Sequence, residues 1–375
     1  MDRTLQALFA LLQAGLWGRY DDAAASVFPL SAEEWERVFT LARQQTVTGI
    51  AFRGLDFLPE EAAPPMGVAA KWMAHADRIE QCNRIMNGTV AKLYGHFASA
   101  GVEAVLQKGQ GVAAMYPEPL LRECGDIDLY FPGHDGVSDP LAGIPGAVRK
   151  RQPDNSWSYL VDGIVVEHHA DLVDIQSPRA KRYVKRLIDE KRFEKVVTGD
   201  GVEVMVPAPE VNLLLLSSHI LKHAFGVGIG LRQFCDYAVA RRYYEGRVNE
   251  LEMREIWRMT GLEKWQWLLE EFIGRFLDSD YVLARNDNKD LQDDSHSERS
   301  EESFDKKKTD VLLDIVLKGG NFGVYSKDRE NVSHARWVRK MQTFRSLAGN
   351  VRFAFRYAPR EWFWTIVQLL GGQFR

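Results

Sequence analysis

Gly125-Asp126-Ile127-Asp128-Leu129 is the stretch that decides the fold, because it places two carboxylates two positions apart in a segment typical of a β-strand. Side chains at i and i+2 of a strand share a face, so Asp126 and Asp128 lie together while Ile127 and Leu129 fill the other face. Paired carboxylates repel each other unless a cation neutralises them, and Mg²⁺ prefers oxygen ligands. The alternative is a solvated strand edge without a metal.

A predicted strand and a glycine-containing turn precede the aspartates. Residues 102–106 have strand composition, and Lys108-Gly109-Gln110-Gly111 leads into a short helical segment. Backbone N–H groups at such a helix start attract phosphate oxygens, and Lys108 adds a positive charge. The pattern favours Lys108, Gly109 and Gln110 as nucleotide-binding residues. The alternative is that the glycines serve only the turn.

Two alternating segments follow the aspartates. Residues 157–161 and 164–168 are separated by Asp162-Gly163, a dipeptide typical of a tight β-hairpin. Glu167 lies on the second strand of this hairpin, so it joins the aspartates if that strand lies beside theirs. Three carboxylates on adjacent strands can hold two metal ions.

The order of elements predicts an α+β fold. Strands are predicted within residues 101–208, which would form a small mixed-sheet core, and helices predominate in residues 1–100 and 209–375. The polar, charge-dense segment 286–308 has no apolar periodicity, and it is predicted to be a mobile loop or linker.

Composition limits the classes of function. The chain has 375 residues, 45% of them hydrophobic, and a net charge of -4, so no global field draws it to nucleic acid or membranes. A polyanionic partner must therefore meet a local patch. Cys82, Cys124 and Cys235 lack C-x-x-C spacing, which favours a reducing, cytoplasmic setting. No apolar run approaches the roughly 20 residues of a transmembrane span.

A predicted helix after residue 209 carries His219, Lys222 and His223 at neighbouring positions of one face. A His-x-x-x-His pair can bind zinc, but no third ligand accompanies this one. Core or substrate-positioning roles are therefore favoured for both histidines. Lys222 and His168 are candidates for substrate positioning as well.

Three further charged residues are site candidates, and two of them have two interpretations each. Arg122 precedes the acidic strand, and it either neutralises phosphate charge or orients the strand through an ion pair. Arg232 follows a glycine-containing loop, and it is a candidate for contact with the base or phosphates of a nucleotide. Asp236, one turn further, either positions substrate or pairs with Arg232.

Arginines and aromatic residues interleave in the C-terminal region. The arginines are Arg336, Arg339, Arg345, Arg352, Arg356 and Arg360, and the aromatic residues are Trp337, Phe344, Phe353, Phe355, Tyr357 and Trp362. Such a pattern can bind single-stranded RNA by stacking and phosphate pairing. The favoured interpretation is an amphipathic helix packed on the domain with its arginines outward, and an interfacial membrane contact is a third alternative.

These motifs, in this order, resemble the uncharacterised bacterial nucleotidyltransferase family of the polymerase-β superfold. The residues that carry the resemblance are Lys108-Gly109, Tyr116-Pro117, Arg122, Gly125-Asp126-Ile127-Asp128-Leu129, Glu167-His168, His219, Lys222-His223, Gly230-Leu231-Arg232-Gln233 and Asp236. It extends from about Val102 to Tyr244, with a further similarity at Gly319-Gly320-Asn321-Phe322-Gly323. One departure is Gly109-Gln110, where the wider superfold usually has Gly-Ser or Gly-Gly.

The resemblance implies a metal-dependent nucleotidyltransferase with Asp126, Asp128 and Glu167 as metal ligands and catalytic residues. Such an enzyme would use Mg²⁺ or Mn²⁺ to move a nucleoside monophosphate from an NTP to an acceptor hydroxyl. The acceptor is left open between a protein, an RNA end and a small molecule. Alternatives are a catalytically silent nucleotide- or partner-binding module and a metal-dependent phosphohydrolase, although the cluster lacks the extra histidines and aspartates of such hydrolases.

Overall fold

The N-terminal region of the computed structural model is helical. The structure describes residues 1–20, 26–133, 143–144, 147–151, 157–198, 200–226, 228–278, 280, 298–320 and 350–371. The first helices are α1 (Arg3–Trp17), α2 (Ala32–Gln44), α3 (Thr48–Leu55) and α4 (Met66–Ala100). Helix α2 begins at Ser31, where the Ser31 side chain accepts from the Glu34 N–H and the Glu34 carboxylate accepts from the Ser31 N–H. This reciprocal arrangement is a capping box, which fixes the start of the helix.

Glycines allow these helices to approach one another and the site closely. A Cβ on Gly54 would lie 2.1 Å from the carbonyl oxygen of Leu11 in α1. A Cβ on Gly49 would lie 2.1 Å from the carbonyl oxygen of Leu121, just before Arg122. Only glycine fits at such separations, so helix α3 can pack directly against the segment that leads into the acidic strand.

The described strands form one mixed sheet. They are β1 (Val105–Gln107), β2 (Asp126–Tyr130), β3 (Val148–Arg151), β4 (Trp157–Val161), β5 (Ile164–His168), β6 (Phe193–Val197) and β7 (Glu203–Pro207). Their order is β3-β4-β5-β2-β1-β7-β6. Strand β2 pairs parallel with β5 and antiparallel with β1. The α+β class, the small mixed sheet and the hairpin are thus confirmed, whereas β3 and β6 were not predicted.

The sheet separates a hydrophobic layer from the acidic face. Ile127 and Leu129 of β2 are buried in one cluster with Val90, Leu93 and Phe97 of α4. Because side chains alternate along a strand, the aspartates of β2 point away from α4. The long helix therefore supports the sheet from behind and leaves the carboxylates free to line a cavity.

The remaining helices follow the sheet or connect its strands. They are α5 (Gly109–Ala113), α6 (Pro178–Lys191), α7 (Pro209–Phe225), α8 (Leu231–Tyr243), α9 (Glu250–Thr260), α10 (Glu263–Phe276), α11 (Glu298–Gly319), α12 (Val351–Tyr357) and α13 (Pro359–Gly371). No helix among the described residues is long and apolar enough to cross a membrane.

Two predictions for the C-terminal region are corrected or refined. Residues 298–308 were predicted as part of a loop, but they form the first part of α11; the rest of that segment lies outside the described residues. In α12, Phe353 and Tyr357 are buried and Arg356 is exposed, as expected for a packed amphipathic helix. Arg336, Arg339, Arg345 and the sequence from Asn321 to Gly323 lie outside the described part of the chain.

Candidate active site

The register of two parallel strands brings three carboxylates to one cavity. Asp128 of β2 lies opposite Glu167 of β5, and Asp126 lies opposite Val165. All three acidic side chains line a cavity of about 510 Å³, a size typical of small-ligand sites. The predicted neighbourhood of the two strands is therefore present in the structure.

Asp128 is the most deeply buried of the three, with 5% of the residue exposed. The Nε2 atom of His169 lies 2.6 Å from its Oδ1, and the Nζ atom of Lys108 lies 3.1 Å from its Oδ2. Burial acts to raise the pKa of Asp128, but Lys108 and the hydrogen bond with His169 outweigh burial and hold the pKa well below its usual range. Asp128 is thus ionised at any pH near neutrality.

Asp128, Glu167 and His169 form a group that can hold a metal ion. One ligand atom from each lies within 4.8 Å of the others, and His169 Nε2 is 3.7 Å from Glu167 Oε2. Two carboxylate oxygens and one imidazole nitrogen are suitable ligands for a divalent cation. Asp126 is exposed, lines the same cavity and lies outside this group. Its role as a metal ligand stays a prediction.

Proximity and burial affect the other two carboxyls in the opposite direction to Asp128. Desolvation by the cavity walls, followed by repulsion from Asp128, raises the pKa of Asp126, although part of this side chain is open to solvent. Burial and repulsion from Asp128 likewise raise the pKa of Glu167. Neighbouring carboxyls with such different pKa values are typical of functional sites. Their mutual repulsion lowers the stability of the fold, and a function is the usual reason why it is kept.

Arg122 holds the loop before β2 in place. Its guanidinium donates from Nε to Asp236 Oδ1 at 2.9 Å and from Nη2 to Oδ2 at 2.6 Å. Tyr116 donates its hydroxyl to the same Oδ1 at 2.7 Å. This geometry favours strand orientation over phosphate contact for Arg122. Asp236 pairs with Arg122, whereas Arg232, the alternative partner that the sequence suggested, donates to the Glu123 carbonyl oxygen.

The N-terminal helices anchor the same loop. Asn83 of α4 donates from Nδ2 to the carbonyl oxygens of Leu120, at 2.6 Å, and of Arg122, at 2.9 Å. The Glu123 carboxylate accepts a hydrogen bond of 2.8 Å from the Thr48 N–H at the start of α3. Helices far from β2 in sequence therefore fix the position from which Asp126 and Asp128 project.

Arg232, at the start of α8, lines the cavity as predicted for a nucleotide-contacting residue. Its Nη1 donates to the Glu123 carbonyl oxygen at 2.6 Å, and its buried Nε has no hydrogen-bond partner among the described residues. A buried guanidinium donor without a partner is costly, because the desolvated N–H is not compensated. An anion in the cavity would supply the missing acceptor.

Helix α7 contributes two neutral histidines to the cavity wall. The rings of His219 and His223 lie 4.5 Å apart between centroids. Burial is the main cause that lowers the pKa of His219 well below its usual value and the pKa of His223 to about 3. Neither belongs to a metal-binding group within the described residues, and a positioning role for them stays a prediction. Lys222 forms an ion pair with Asp174 at the cavity wall.

Two predicted site residues are placed differently. Gln110 is buried, donates its side-chain amide to Asn87 of α4 and does not line the cavity. The ring of His168 packs edge-on against Phe131, with centroids 4.9 Å apart, on the face opposite Glu167. The histidine that joins the carboxylates is His169, which was not predicted, although strand alternation places positions 167 and 169 on one face.

The turn before α5 has a strained backbone. Lys108 has a φ of 47° although it is not glycine, and Gly109 also has a φ of 47°. Positive φ is unfavourable for a side chain such as lysine, and it persists where the surroundings impose it. Here it accompanies the approach of the Lys108 ammonium to Asp128. Helix α5 spans only 5 residues, so its dipole contributes little to phosphate binding.

A mixed sheet flanked by helices, with carboxylates on adjacent central strands and cationic groups around one cavity, is consistent with a nucleotidyltransferase core. Residues 31–278 match the family described as uncharacterised nucleotidyltransferase, and the chain belongs to that family. No curated protein and no solved structure matches the chain.

Proposed function

We propose that this protein is a metal-dependent nucleotidyltransferase that moves a nucleoside monophosphate from an NTP to an acceptor hydroxyl. The observation that carries the proposal is the group of Asp128, Glu167 and His169 in the cavity of a chain of this family. Family membership supports transfer of a nucleotide, and the donor set supports the use of a divalent cation.

The donor set fits a divalent cation through its chemistry. Asp128 and Glu167 offer carboxylate oxygens, and His169 offers an imidazole nitrogen. Mg²⁺ strongly prefers oxygen, whereas Mn²⁺ accepts imidazole as well, so this set favours Mn²⁺ over Mg²⁺. When bound, the cation would neutralise phosphate charge and lower the pKa of an acceptor hydroxyl.

The cavity residues have separable roles in the proposed transfer. Arg232 would donate its free Nε to a phosphate oxygen, and the Lys108 ammonium would bind a second. The acceptor oxygen would bond to the α-phosphorus while the bond from that phosphorus to the β-phosphate oxygen breaks, and pyrophosphate would leave with the electron pair. Glu167, whose pKa is raised by burial and by Asp128, would accept the hydroxyl proton.

His219 and His223 suit recognition of an uncharged part of the substrate. Because burial keeps both rings neutral, each ring offers one donor and one acceptor nitrogen near pH 7. A neutral imidazole pair recognises ribose hydroxyls or base edges by hydrogen bonds rather than by charge. We assign substrate positioning to these histidines and no proton transfer.

One observation favours a second candidate, a catalytically silent nucleotide-binding module. The Lys108 ammonium lies 3.1 Å from Asp128 Oδ2, where it neutralises a carboxylate that a metal ion would otherwise neutralise. In such a module Lys108 would hold the acidic cluster together and the cavity would bind nucleotide without chemistry. The two candidates differ in one measurable property, the release of pyrophosphate.

The test combines metal binding with transfer. Thermal unfolding is measured with Mn²⁺ and with Mg²⁺, and each α-labelled NTP is incubated with the protein and an RNA, protein or small-molecule acceptor mixture. The test variants are Asp128→Asn and Glu167→Gln. Asp162→Asn is the matched control, because Asp162 lies at the turn of the same hairpin with a φ of 51°, which asparagine tolerates.

We expect Mn²⁺ at 100 times its dissociation constant to stabilise the wild type and the control by about 2.7 kcal/mol. The two test variants should lose both this stabilisation and the label transfer. Nucleotide binding without label transfer in the wild type would establish the silent module instead. Transfer that persists in Asp128→Asn would refute the proposed site.

A further inference from the structure

A second cavity of about 550 Å³ lies outside the candidate active site, between helices α6, α9, α10 and α13. We call it the basic groove, because its lining includes Arg179, Arg182, Arg186, Arg258, Lys264 and Arg360. Glu263 is the one acidic residue among its described lining residues. The groove is thus strongly positive, although the whole chain has a net charge of -4.

The cations of helix α6 are not explained by local ion pairs. Arg179, Arg182 and Arg186 follow each other at i, i+3 and i+7, so they form one stripe on the helix. None of the three forms an ion pair with another described residue, and the same holds for Lys264. By contrast, Arg258 pairs with Glu255 at 3.1 Å, and Arg360 packs over Gly261 at the end of α9.

The position of the stripe along α6 is unfavourable for the helix itself. The first turn of α6 carries no acidic residue, and Arg179 and Arg182 lie near the N-terminal end, where the helix dipole already disfavours positive charge. Like charges three or four residues apart repel as well. The Glu361 carboxylate accepts hydrogen bonds from the N–H groups of Gln176 and Ser177 and offsets part of this charge. An anionic ligand would offset the rest.

The basic groove lies close to the candidate active site along the chain. The segment after β5 lines the active-site cavity as far as Asp174, and Arg179 of the groove follows it. Five residues of extended chain reach at most about 17 Å, so the two cavities are neighbours. An extended polymeric ligand is long enough to bridge the distance between these two lining residues.

We propose that the basic groove binds single-stranded nucleic acid. Its cations are spread over four helices, which suits several phosphates in a row better than one isolated phosphate. The lining of the groove includes Tyr183, whose ring can stack on a base, whereas an acidic peptide would have no use for an aromatic platform. A concave site also does not fit a flat lipid surface. If the proposed transfer is correct, the 3′-hydroxyl of this strand is its acceptor.

The test measures binding of a fluorescein-labelled single-stranded RNA to the full chain by fluorescence anisotropy. The affinity is determined at several salt concentrations, without NTP or metal. The test variant replaces Arg179, Arg182 and Arg186 by glutamine. The matched control is Lys185→Gln, because Lys185 is an exposed cation of the same helix that does not line the groove.

Each phosphate contact with a single strand contributes about 0.7 to the slope of log affinity against log salt, so the triple variant should lose about 2 from that slope. If the triple variant and the wild type bind equally at 1 M salt, this difference in slope makes the variant bind about 100-fold more weakly at 0.1 M salt. Lys185→Gln should bind as the wild type does. Circular dichroism is expected to show unchanged folding, because the three arginines are exposed.

Three results would overturn the proposal. Equal RNA binding by the triple variant and the wild type would place the contact elsewhere. An equal loss in Lys185→Gln would show that general surface charge is responsible. Tighter binding to anionic phospholipid vesicles or to polyglutamate than to RNA would assign the groove to another polyanion. Failure of label transfer alone would refute the acceptor role and not the binding.

Discussion

Asp236→Asn isolates the contribution of the buried ion pair that orients the acidic strand. Arg122 is 4% exposed and Asp236 is 3% exposed, and two hydrogen bonds join their side chains. Asparagine keeps the size of the side chain and one acceptor, but it leaves the Arg122 charge without a counterion. Breaking a buried pair from one side costs about 3–5 kcal/mol, and the retained acceptor favours a value of about 3 kcal/mol.

A loss of this size is a large part of the total stability of a folded domain, which is about 5–15 kcal/mol. Urea unfolding followed by tryptophan fluorescence should show a lower midpoint with an unchanged slope. A second variant combines Arg122→Met and Asp236→Leu with Tyr116→Phe, because the Tyr116 hydroxyl would otherwise lose its acceptor. Replacing the whole cluster by apolar groups should recover most of the lost stability.

The apolar variant of Arg122, Asp236 and Tyr116 also separates the two roles predicted for Arg122. If Arg122 only orients β2, this apolar variant should fold and keep wild-type affinity for NTP, measured by calorimetry. If Arg122 contacts phosphate, the affinity should fall even though the protein is folded. A cost below about 1 kcal/mol for Asp236→Asn would refute the assignment of a desolvated, uncompensated charge, because it would match an exposed ion pair.

Three further predictions concern other groups. Asp126→Asn should raise the urea midpoint near pH 7, because repulsion from Asp128 disappears; the gain should vanish once the pH falls below about 4 and the wild-type carboxyl is protonated. His223 has a lowered pKa, so the unfolded chain binds the proton more tightly and stability falls as pH drops from about 6.5 to about 3, by up to about 1.4 kcal/mol per pH unit. Thermal melts recorded at a series of pH values should therefore show that the melting temperature of His223→Gln begins to fall at a lower pH than that of the wild type. Gly49→Ala places a methyl group 2.1 Å from the Leu121 carbonyl oxygen, and it should cost about 1–3 kcal/mol and weaken Mn²⁺ binding in calorimetry.

The fold was largely accessible from local sequence patterns. The hairpin at Asp162-Gly163 and the aspartate strand are predictable because turn chemistry and side-chain alternation act over a few residues. Strand β6 was missed because helix α6 ends only at Lys191, and the change to an extended strand at Phe193 has no glycine or proline to mark it. Strand β3 is short and basic, so its pairing with β4 is not visible as apolar alternation.

The candidate site was predictable in its outline and not in its pairings. The residues predicted for it line one cavity, apart from Gln110, although the His168 ring packs on the other face. They come together because β2 and β5 are neighbours in the sheet. The partner of Asp236 was not predictable, because Arg232 is close in sequence and Arg122 is close only in the fold. The preference for His169 over His168 could have been found by extending the alternation of β5 one residue past its end.

The net charge of the chain does not oppose an anionic ligand in the basic groove. At physiological salt the Debye length is about 8 Å, so charges beyond that distance from the groove are largely screened. The overall charge of -4 is spread over the surface, whereas the α6 arginines lie along one helical stripe. A ligand in the groove therefore meets a local positive field. The same screening predicts that binding weakens steeply with salt, in contrast to binding of a divalent cation at the buried Asp128, which salt should change little.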